Sequence, residues 1–461
     1  VASEGFSLSR SKWVRGQGVT HSLTATELLA ADNLVTAGVE KLRFFPLTVA
    51  SGHGSIIVEM DGREVLDLSS GWTAVGLGYG HPVVVDAVSG AIASQGHSGG
   101  ISAVCESSVL LAQELIELLP EIPQARVYLG NSGTDANDVA LRACRTWTKR
   151  KKIIAFNGGY HGGMGIALGV SGVHVEAGAI ADPDVLFLPF PNPLRPHNGD
   201  STTVAQEILT MLEALLVGDE IAAVIIEPIQ SDGGIIVPPA GFLADLINTC
   251  RLHGVPVICD EVKVGLGRTG ELFDFQHDGV CPDIVTLGKA LGGGLPLSAA
   301  IGPDHILNAN PGSALLTTAG NPVCTAAGRA VLRVIKRENL PSRSGALGEL
   351  FQSAFVSAAE VEGIADCIGE VRGRGLTIGI DLVTDLESLT GNRELARLTV
   401  YRAYELGVVC YYVGGHVLEI TPALTVTESE LVMGAQVLAR AIAQARAGEV
   451  DPEKVREFAG W

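Results

Sequence analysis

No apolar run in this 461-residue chain reaches membrane-spanning length, because Gly, Asp or Glu interrupts each long one. The N-terminal residues also lack a basic flank followed by an apolar core, so no secretory segment is expected. Closely spaced cysteines are missing too. The eight cysteines, Cys105, Cys144, Cys250, Cys259, Cys281, Cys324, Cys367 and Cys410, form no pair with metal-ligand spacing. They read as small buried thiols in a reducing compartment, and no metal is expected. Positive charge is scarce. A formal net charge of -19 opposes general attraction to nucleic acid or an anionic bilayer. Backbone N–H groups can still hold a phosphate locally in such a protein. The expectation is a soluble, cytoplasmic protein with neither nucleic-acid nor membrane partners.

What is present suits a globular enzyme. Apolar residues make up 47% of the chain, which is inconsistent with general disorder, and the length accommodates two packed domains. Residues 1 to about 20 are polar and Ser-rich, without periodicity. Residues 23–34 read as an amphipathic helix, residues 55–68 as a hairpin around Asp61-Gly62, and residues 71–81 as a Gly- and aromatic-rich loop beside a site. A helical region follows over residues 82–119, broken near Gly96 to Gly100. Strand signals at residues 126–129, 152–156, 221–226, 256–259 and 283–287 then alternate with helices, notably one over residues 241–253. Their short, nearly continuous apolar runs suit strands covered on both faces, as in a parallel sheet. Beyond Val331 a long helix precedes an α+β segment that includes residues 377–382, 402–406 and 417–420. The expected organisation is a large α/β domain over residues 82–335 and a smaller α+β domain built from residues 1–81 and 336–461, with no internal repeat.

Three strand ends carry chargeable groups: Ile226-Glu227-Pro228, Cys259-Asp260-Glu261 and Leu287-Gly288-Lys289. In a parallel sheet such ends face the crevice where ligands bind. A buried lysine is unfavourable unless it is used, for instance by condensing with the aldehyde of pyridoxal 5'-phosphate (PLP). That cofactor also needs an acid for its ring nitrogen and an anion site for its phosphate. Asp260 supplies the acid. Ser132-Gly133-Thr134, between a strand and a helix, supplies N–H groups and two hydroxyls. Taken singly, each has a plain alternative: Asp260 as a strand terminator, Lys289 as a solvated lysine, Ser132 as a helix cap. Their joint placement favours the cofactor. Residues 265–270 spell GxGxxG, but no long apolar helix follows them, so a dinucleotide site is not expected there.

At this point the chain resembles the class III aminotransferases, the ornithine and omega-amino-acid group of fold-type I PLP enzymes. The resemblance covers almost the whole length. It rests on Asn131-Ser132-Gly133-Thr134-Asp135-Ala136-Asn137, Gly159-Tyr160-His161-Gly162, Ile226-Glu227-Pro228, Asp260-Glu261-Val262, residues 265–270, Gly288-Lys289 and Gly320-Asn321-Pro322. It implies a mostly parallel seven-stranded sheet in the large domain and a homodimer with shared active sites. By the same resemblance Lys289 is the Schiff-base lysine, Asp260 the ring-nitrogen partner, and Tyr160 the ring stacked on the pyridine face. Ser132, Gly133 and Thr134 grip the phosphate, Thr317 reaches it from the neighbouring subunit, and Glu227 is grouped with the cofactor-binding residues.

A narrower resemblance is to the alpha-amino-epsilon-caprolactam racemases, and next to the branched-chain amino acid 2-epimerases. Its pieces are residues 41–47, Gln230-Ser231-Asp232-Gly233-Gly234, Asp260-Glu261-Val262-Lys263, residues 294–299, and, more weakly, Ala459-Gly460-Trp461. It implies racemization of an alpha-amino lactam or amino acid amide, a small primary amine, with Lys289 and Asp232 as the acid–base pair and Lys263 tuning the charge of Asp232 or contacting the substrate. An omega-type aminotransferase and an epimerase of free apolar amino acids are the alternatives. At Lys263 many relatives of this kind carry Gln, and at Asp232 Glu or a small residue. Without the resemblance, Asp232 reads as a surface turn carboxylate and Lys263 as solvated. Phe44, Trp72 and Tyr79 lie in segments that resemble the substrate-facing part of the family site; their plain alternative is local packing.

Overall fold

The computed structural model describes residues 23–97, 99–458 and 460. The polar stretch read at residues 1–20, and Ala459 and Trp461 of the terminal motif, lie outside the described residues.

The central sheet has seven strands: β1 Ala125–Gly130, β2 Lys152–Phe156, β3 Val185–Leu188, β4 Ile221–Ile226, β5 Val257–Asp260, β6 Ile284–Leu287 and β7 Ser298–Pro303. Their order across the sheet is β1-β7-β6-β5-β4-β2-β3. β2 pairs in parallel with β3 and β4, β4 with β5, and β5 with β6. Only β7 runs against its neighbours, β6 and β1. The expected mostly parallel sheet is therefore present.

Strands β4, β5 and β6 are buried along their whole length, and the alternation of side chains across a strand explains why they read as continuous apolar runs. Ala223, Ile225, Ile258 and Ile284 turn to one face, where Ala136, Ala140, Leu141 and Cys144 of the helix Gly133–Thr148 meet them. Val224, Ile226, Val257, Cys259 and Val285 turn to the other face, into the main core. The helices Pro322–Arg337, Pro82–Ala93 and Glu106–Glu117 pack together beside it.

Segments from both ends of the chain build the smaller sheets. Val49–His53, Ile56–Glu59 and Glu64–Asp67 are antiparallel, and the short strand Val408–Val409 joins them in parallel with Glu64–Asp67. A further antiparallel sheet runs in the order Ile368–Arg374, Thr377–Leu382, Val417–Ile420, Tyr411–Val413. The helices Leu340–Glu362, Arg393–Glu405 and Glu428–Arg446 pack beside these strands.

Several local expectations change in detail. The expected break near Gly96 to Gly100 is present, between Pro82–Ala93 and Glu106–Glu117, but the long helix beyond Val331 is two, Pro322–Arg337 and Leu340–Glu362, separated at Asn339 with φ 48°. Within the expected α+β segment, residues 402–405 are the end of the helix Arg393–Glu405, with Leu406 as its C-cap. Residues 265–270 are turns in which Leu266, Gly267 and Gly270 have positive φ, so no helix opens there to receive a dinucleotide. Among the described residues no helix is long and apolar enough to cross a membrane.

Candidate active site

The ends of β4, β5 and β6 and the turn after β1 enclose a cavity of 420 Å³. Glu227, Asp260 and Lys289 all line it, which is the convergence expected at the carboxyl edge of a parallel sheet. Ser132, Gly133, Thr134 and Tyr160 form a second part of the wall, and Asp232 and Lys263 a third. A larger hollow of 680 Å³ lies at the opposite ends of β5 and β6, beside Pro256 and Asp283. It contains no lysine, so the smaller cavity is the place for amine chemistry.

Asp260 is 4% exposed and held from three directions. Its Oδ2 accepts a hydrogen bond from Asn137 Nδ2 at 2.7 Å and lies 2.8 Å from His161 Nδ1; its Oδ1 accepts from Val262 N at 3.0 Å. Asn137 is itself fixed, its Oδ1 accepting from Thr286 Oγ1 at 2.7 Å. The carboxylate is thus locked to β6, to the helix after β1 and to the segment carrying Tyr160. His161 and Asn137 were not given roles on sequence grounds, although both stand inside quoted motifs.

The turn after β1 is a capping box. Ser132 Oγ accepts from Asp135 N at 3.3 Å, while the Asp135 carboxylate accepts from Ser132 N at 3.1 Å and from Asn131 N at 2.8 Å. The cap reading of Ser132 is therefore correct, and the same cap opens the cavity wall. The N–H groups that start the helix belong to Gly133 and Thr134, and a methyl group on Gly133 would lie 2.6 Å from Val262 Cγ1. Such a close-passing backbone at a helix N-terminus is suited to an anion.

Lys289 follows β6 with φ 40°, an unusual value for a side-chain-bearing residue. Burial, and then the neighbouring Lys263 ammonium, hold its amine below the ordinary lysine value. A buried lysine amine beside a buried carboxylate and a helix N-terminus is the set of groups that PLP requires, so the residues present fit the cofactor.

Asp232 and Lys263 are not the surface residues that the plain readings suggested. Lys263 is 6% exposed, and its Nζ donates to Asp232 Oδ1 at 2.8 Å. The same Nζ stands 2.9 Å from Glu419 Oε1, and Glu419 is 1% exposed. Burial alone would lower the Lys263 ammonium, but Asp232 and Glu419 outweigh it and raise its pKa. Burial would likewise raise the Asp232 carboxyl, yet Lys263 and Lys289 hold it below the ordinary value. No motif signalled Glu419, because a glutamate on a short strand reads as an outward-facing polar residue.

Glu227 accepts from Tyr160 N at 2.9 Å and from Ser231 N at 3.1 Å, so one carboxyl ties Tyr160 to the loop that carries Asp232. Burial pushes its pKa up to about 7, against the opposing influence of His161. Trp72 stacks on Tyr411 with ring centroids 4.3 Å apart and lies 5.5 Å from Lys263 Nζ.

None of the three expected substrate contacts lines the cavity: Trp72 lies against Lys263 but lines a separate hollow together with Phe44 and Tyr411. Phe44 is 2% exposed and packs against Trp72, Tyr411 and Tyr412, supporting the wall without lining the cavity. Tyr79 donates its hydroxyl to Asp67 Oδ2 at 2.7 Å and faces a separate hollow beside Val84. Thr317 is exposed and does not line the cavity of its own chain. Arg268 is buried away from the cavity, donating to the carbonyls of Leu376 and Pro422 at 3.0 Å each.

A family model described as aminotransferase class-III matches residues 37–442. The chain is 34% identical to the alanine/serine racemase of Pyrococcus horikoshii over 94% of its own length and 93% of that protein. It is 33% identical to the isoleucine 2-epimerase of Lentilactobacillus buchneri, covering 95% of this chain and 99% of that one. The omega transaminase of Pseudomonas jessenii, solved in complex with PMP, superposes with a TM-score of 0.81 at 27% identity, covering 87% of this chain and 93% of that one. The chain therefore belongs to the class-III aminotransferase family and is a PLP-dependent enzyme of fold type I, an amino acid racemase or transaminase.

Proposed function

We propose that this enzyme interconverts the enantiomers of an alpha-amino lactam or an alpha-amino acid amide, taking the alpha proton from one face and returning one to the other. The observation that carries this reading is the buried Asp232–Lys263 pair in the same cavity as Lys289. A two-base racemase needs proton-carrying groups on two sides of one carbon, and Lys289 and Asp232 both line this cavity besides Asp260, which meets the ring nitrogen.

Bound PLP supplies an electron sink for the charge left when the alpha proton departs. Ser132, Gly133 and Thr134 hold its phosphate, Asp260 keeps its ring nitrogen protonated, and Tyr160 covers its face. Glu227 acts on this assembly through the backbone of Tyr160. Thr317 of the partner subunit completes the phosphate site in a homodimer. Lys289 Nζ would carry the cofactor covalently until the substrate's primary amine takes its place and, once released, would be the base on one side, its pKa lowered by burial and by Lys263. Asp232, favoured in its ionised form, faces the other side as the second acid–base group. Lys263, its ammonium 2.8 Å from the Asp232 carboxylate, tunes the charge of that group or contacts the substrate. Trp72, which lies against Lys263, supports that side of the substrate site. Eight free thiols, most of them buried, support a reducing, cytoplasmic location.

Two further readings have specific support. The names of the alanine/serine racemase and isoleucine 2-epimerase relatives favour free amino acids as substrates. The likeness to an omega transaminase favours amino-group transfer, for which the same lysine and cofactor site serve. One experiment separates them: chiral chromatography of the holoenzyme incubated with L-alpha-amino-epsilon-caprolactam, L-alanine amide or L-alanine, without any oxo acid. Approach to equal enantiomers with no loss of total amine is expected for the lactam or the amide. Interconversion of alanine alone selects the free amino acid. Retained chirality, with amine transfer only once pyruvate or 2-oxoglutarate is added, selects the aminotransferase.

A further inference from the structure

Lys263 has three ammonium N–H groups, and two carboxylates compete for them. Its Nζ lies 2.8 Å from Asp232 Oδ1 and 2.9 Å from Glu419 Oε1, with Glu419 Oε1 also accepting from Thr421 Oγ1 at 3.2 Å. Glu419 is almost completely buried. Among the described residues no arginine lines this cavity, and its lysines are Lys263 and Lys289. Lys289 is reserved for the cofactor. Arg268, although close enough to feel Glu419, spends its guanidinium on two backbone carbonyls outside the cavity.

We infer that Glu419 is a specificity-determining positioning residue, which by engaging Lys263 from behind denies a substrate carboxylate its ion-pair partner and selects alpha-amino compounds with an uncharged carbonyl. The reason is competition at one cation. An alpha-carboxylate approaching Lys263 comes up against Asp232 and Glu419, two groups of like charge already bound to it, and such juxtaposition is unfavourable. The carbonyl of an amide or lactam carries no net charge and meets no such opposition. Deleting the charge at Glu419 leaves Lys263 paired with Asp232 alone and restores a donor for a carboxylate.

The inference rests on the reading of this cavity as the substrate site, but not on which reaction occurs there. Its test therefore uses ligands without an alpha proton, 2-aminoisobutyric acid and 2-aminoisobutyramide, which neither racemize nor transfer their amine by alpha-proton loss. Their equilibrium binding to the holoenzyme is measured by calorimetry and by the change in visible absorption of the cofactor. The native enzyme is expected to bind the amide more tightly than the acid. In Glu419→Gln the amide-to-acid affinity ratio falls by about tenfold or more, mainly through tighter binding of the acid. Glu419→Asp, which keeps the charge, stays on the native side of that change. A native enzyme that binds the acid at least as tightly as the amide overturns the inference, whatever the variants do. So does an unchanged ratio in a Glu419→Gln variant that retains its cofactor. Failure of the racemase reading is recognised separately: retained chirality with preserved amide selectivity removes that reading and leaves the role of Glu419 intact.

Discussion

Arg372 Nη1 lies 2.7 Å from Asp381 Oδ2, and the same guanidinium donates to the carbonyl oxygens of Gly234 and Ile235. The strand Thr377–Leu382 thereby grips the turn that follows Asp232. Asp381 is fully buried and takes two more hydrogen bonds from Arg195, each 2.7 Å long. Burial alone would raise the Asp381 carboxyl, but Arg195, His416 and Arg372 hold it well below the usual carboxylate range. Ile235, with φ 51°, adopts a backbone conformation that needs outside support. Arg372→Ala should let this turn relax and displace Asp232. A shift of about 1 Å at a reacting group lowers a rate by about 100-fold, so enantiomer interconversion is expected to fall by that order while the visible absorption of the bound cofactor is unchanged. Full retention of the rate would mean that the turn keeps its shape without the clamp.

Asp232→Asn removes the acid–base group while keeping its size. Interconversion should drop by about 10²- to 10⁴-fold, whereas exchange of the alpha proton with deuterated solvent should persist for the enantiomer whose proton faces Lys289. Proton NMR of each pure enantiomer in D₂O, alongside chiral chromatography, checks both parts. Equal loss of exchange for the two enantiomers would assign Asp232 to substrate binding; unchanged interconversion in both directions would remove it from the reaction.

Much of this architecture was legible in the sequence, for physical reasons that also explain the omissions. Strands β4, β5 and β6 are covered on both faces, so their apolar runs stand out, and the chemistry follows directly at their ends in Glu227, Asp260 and Lys289. Strand β7 was not legible. Ser298-Ala299-Ala300-Ile301-Gly302-Pro303 consists of small residues because it is squeezed between β1 and β6, where a methyl group on Gly302 would come within 2.8 Å of Ile284 Cγ1. Local pattern also concealed Glu419, whose side chain meets Lys263, 156 residues away in sequence, and Thr421. Phe44 and Tyr79, which do not line this cavity, illustrate the converse: aromatic residues near a site segment look alike in sequence whether they face the ligand or support the residue that does.

Gly133→Ala tests the phosphate turn. The added methyl group would meet Val262 Cγ1 at 2.6 Å and Cγ2 at 2.9 Å, and the strand-end position of Val262, two residues beyond Asp260, leaves little room to yield. Overpacking of this kind costs about 1–3 kcal/mol. Its effect should fall on cofactor retention, because the displaced N–H groups start the helix Gly133–Thr148. Dialysis followed by absorption spectroscopy should show faster loss of PLP than from the native protein. Retention at the native rate would show that the turn adapts and that its backbone position is not critical for the phosphate.

Glu227 makes folding stability depend on pH in a direction opposite to that of most carboxylates. Burial raises its pKa from an ordinary 4.5 to about 7 in the folded protein. Across that window the folded chain retains a proton that the unfolded chain has released. Stability from this group is therefore fully present below about pH 4.5 and is lost as pH rises through about 7, with a total change of a few kcal/mol at most. Glu227→Gln abolishes the titration. Its amide oxygen can still accept from Tyr160 N, but its NH₂ group is a poor match for Ser231 N, so the variant should be less stable at the acidic end, where native Glu227 is neutral and fully satisfied. The slope is the diagnostic quantity. Melting temperatures of the two holoenzymes should converge as pH rises from 4.5 towards 7, the native curve losing stability relative to the variant. Parallel curves over that range would mean that Glu227 is already ionised at its lower end, and that the two backbone N–H groups of Tyr160 and Ser231 suffice to hold the charge in its buried position.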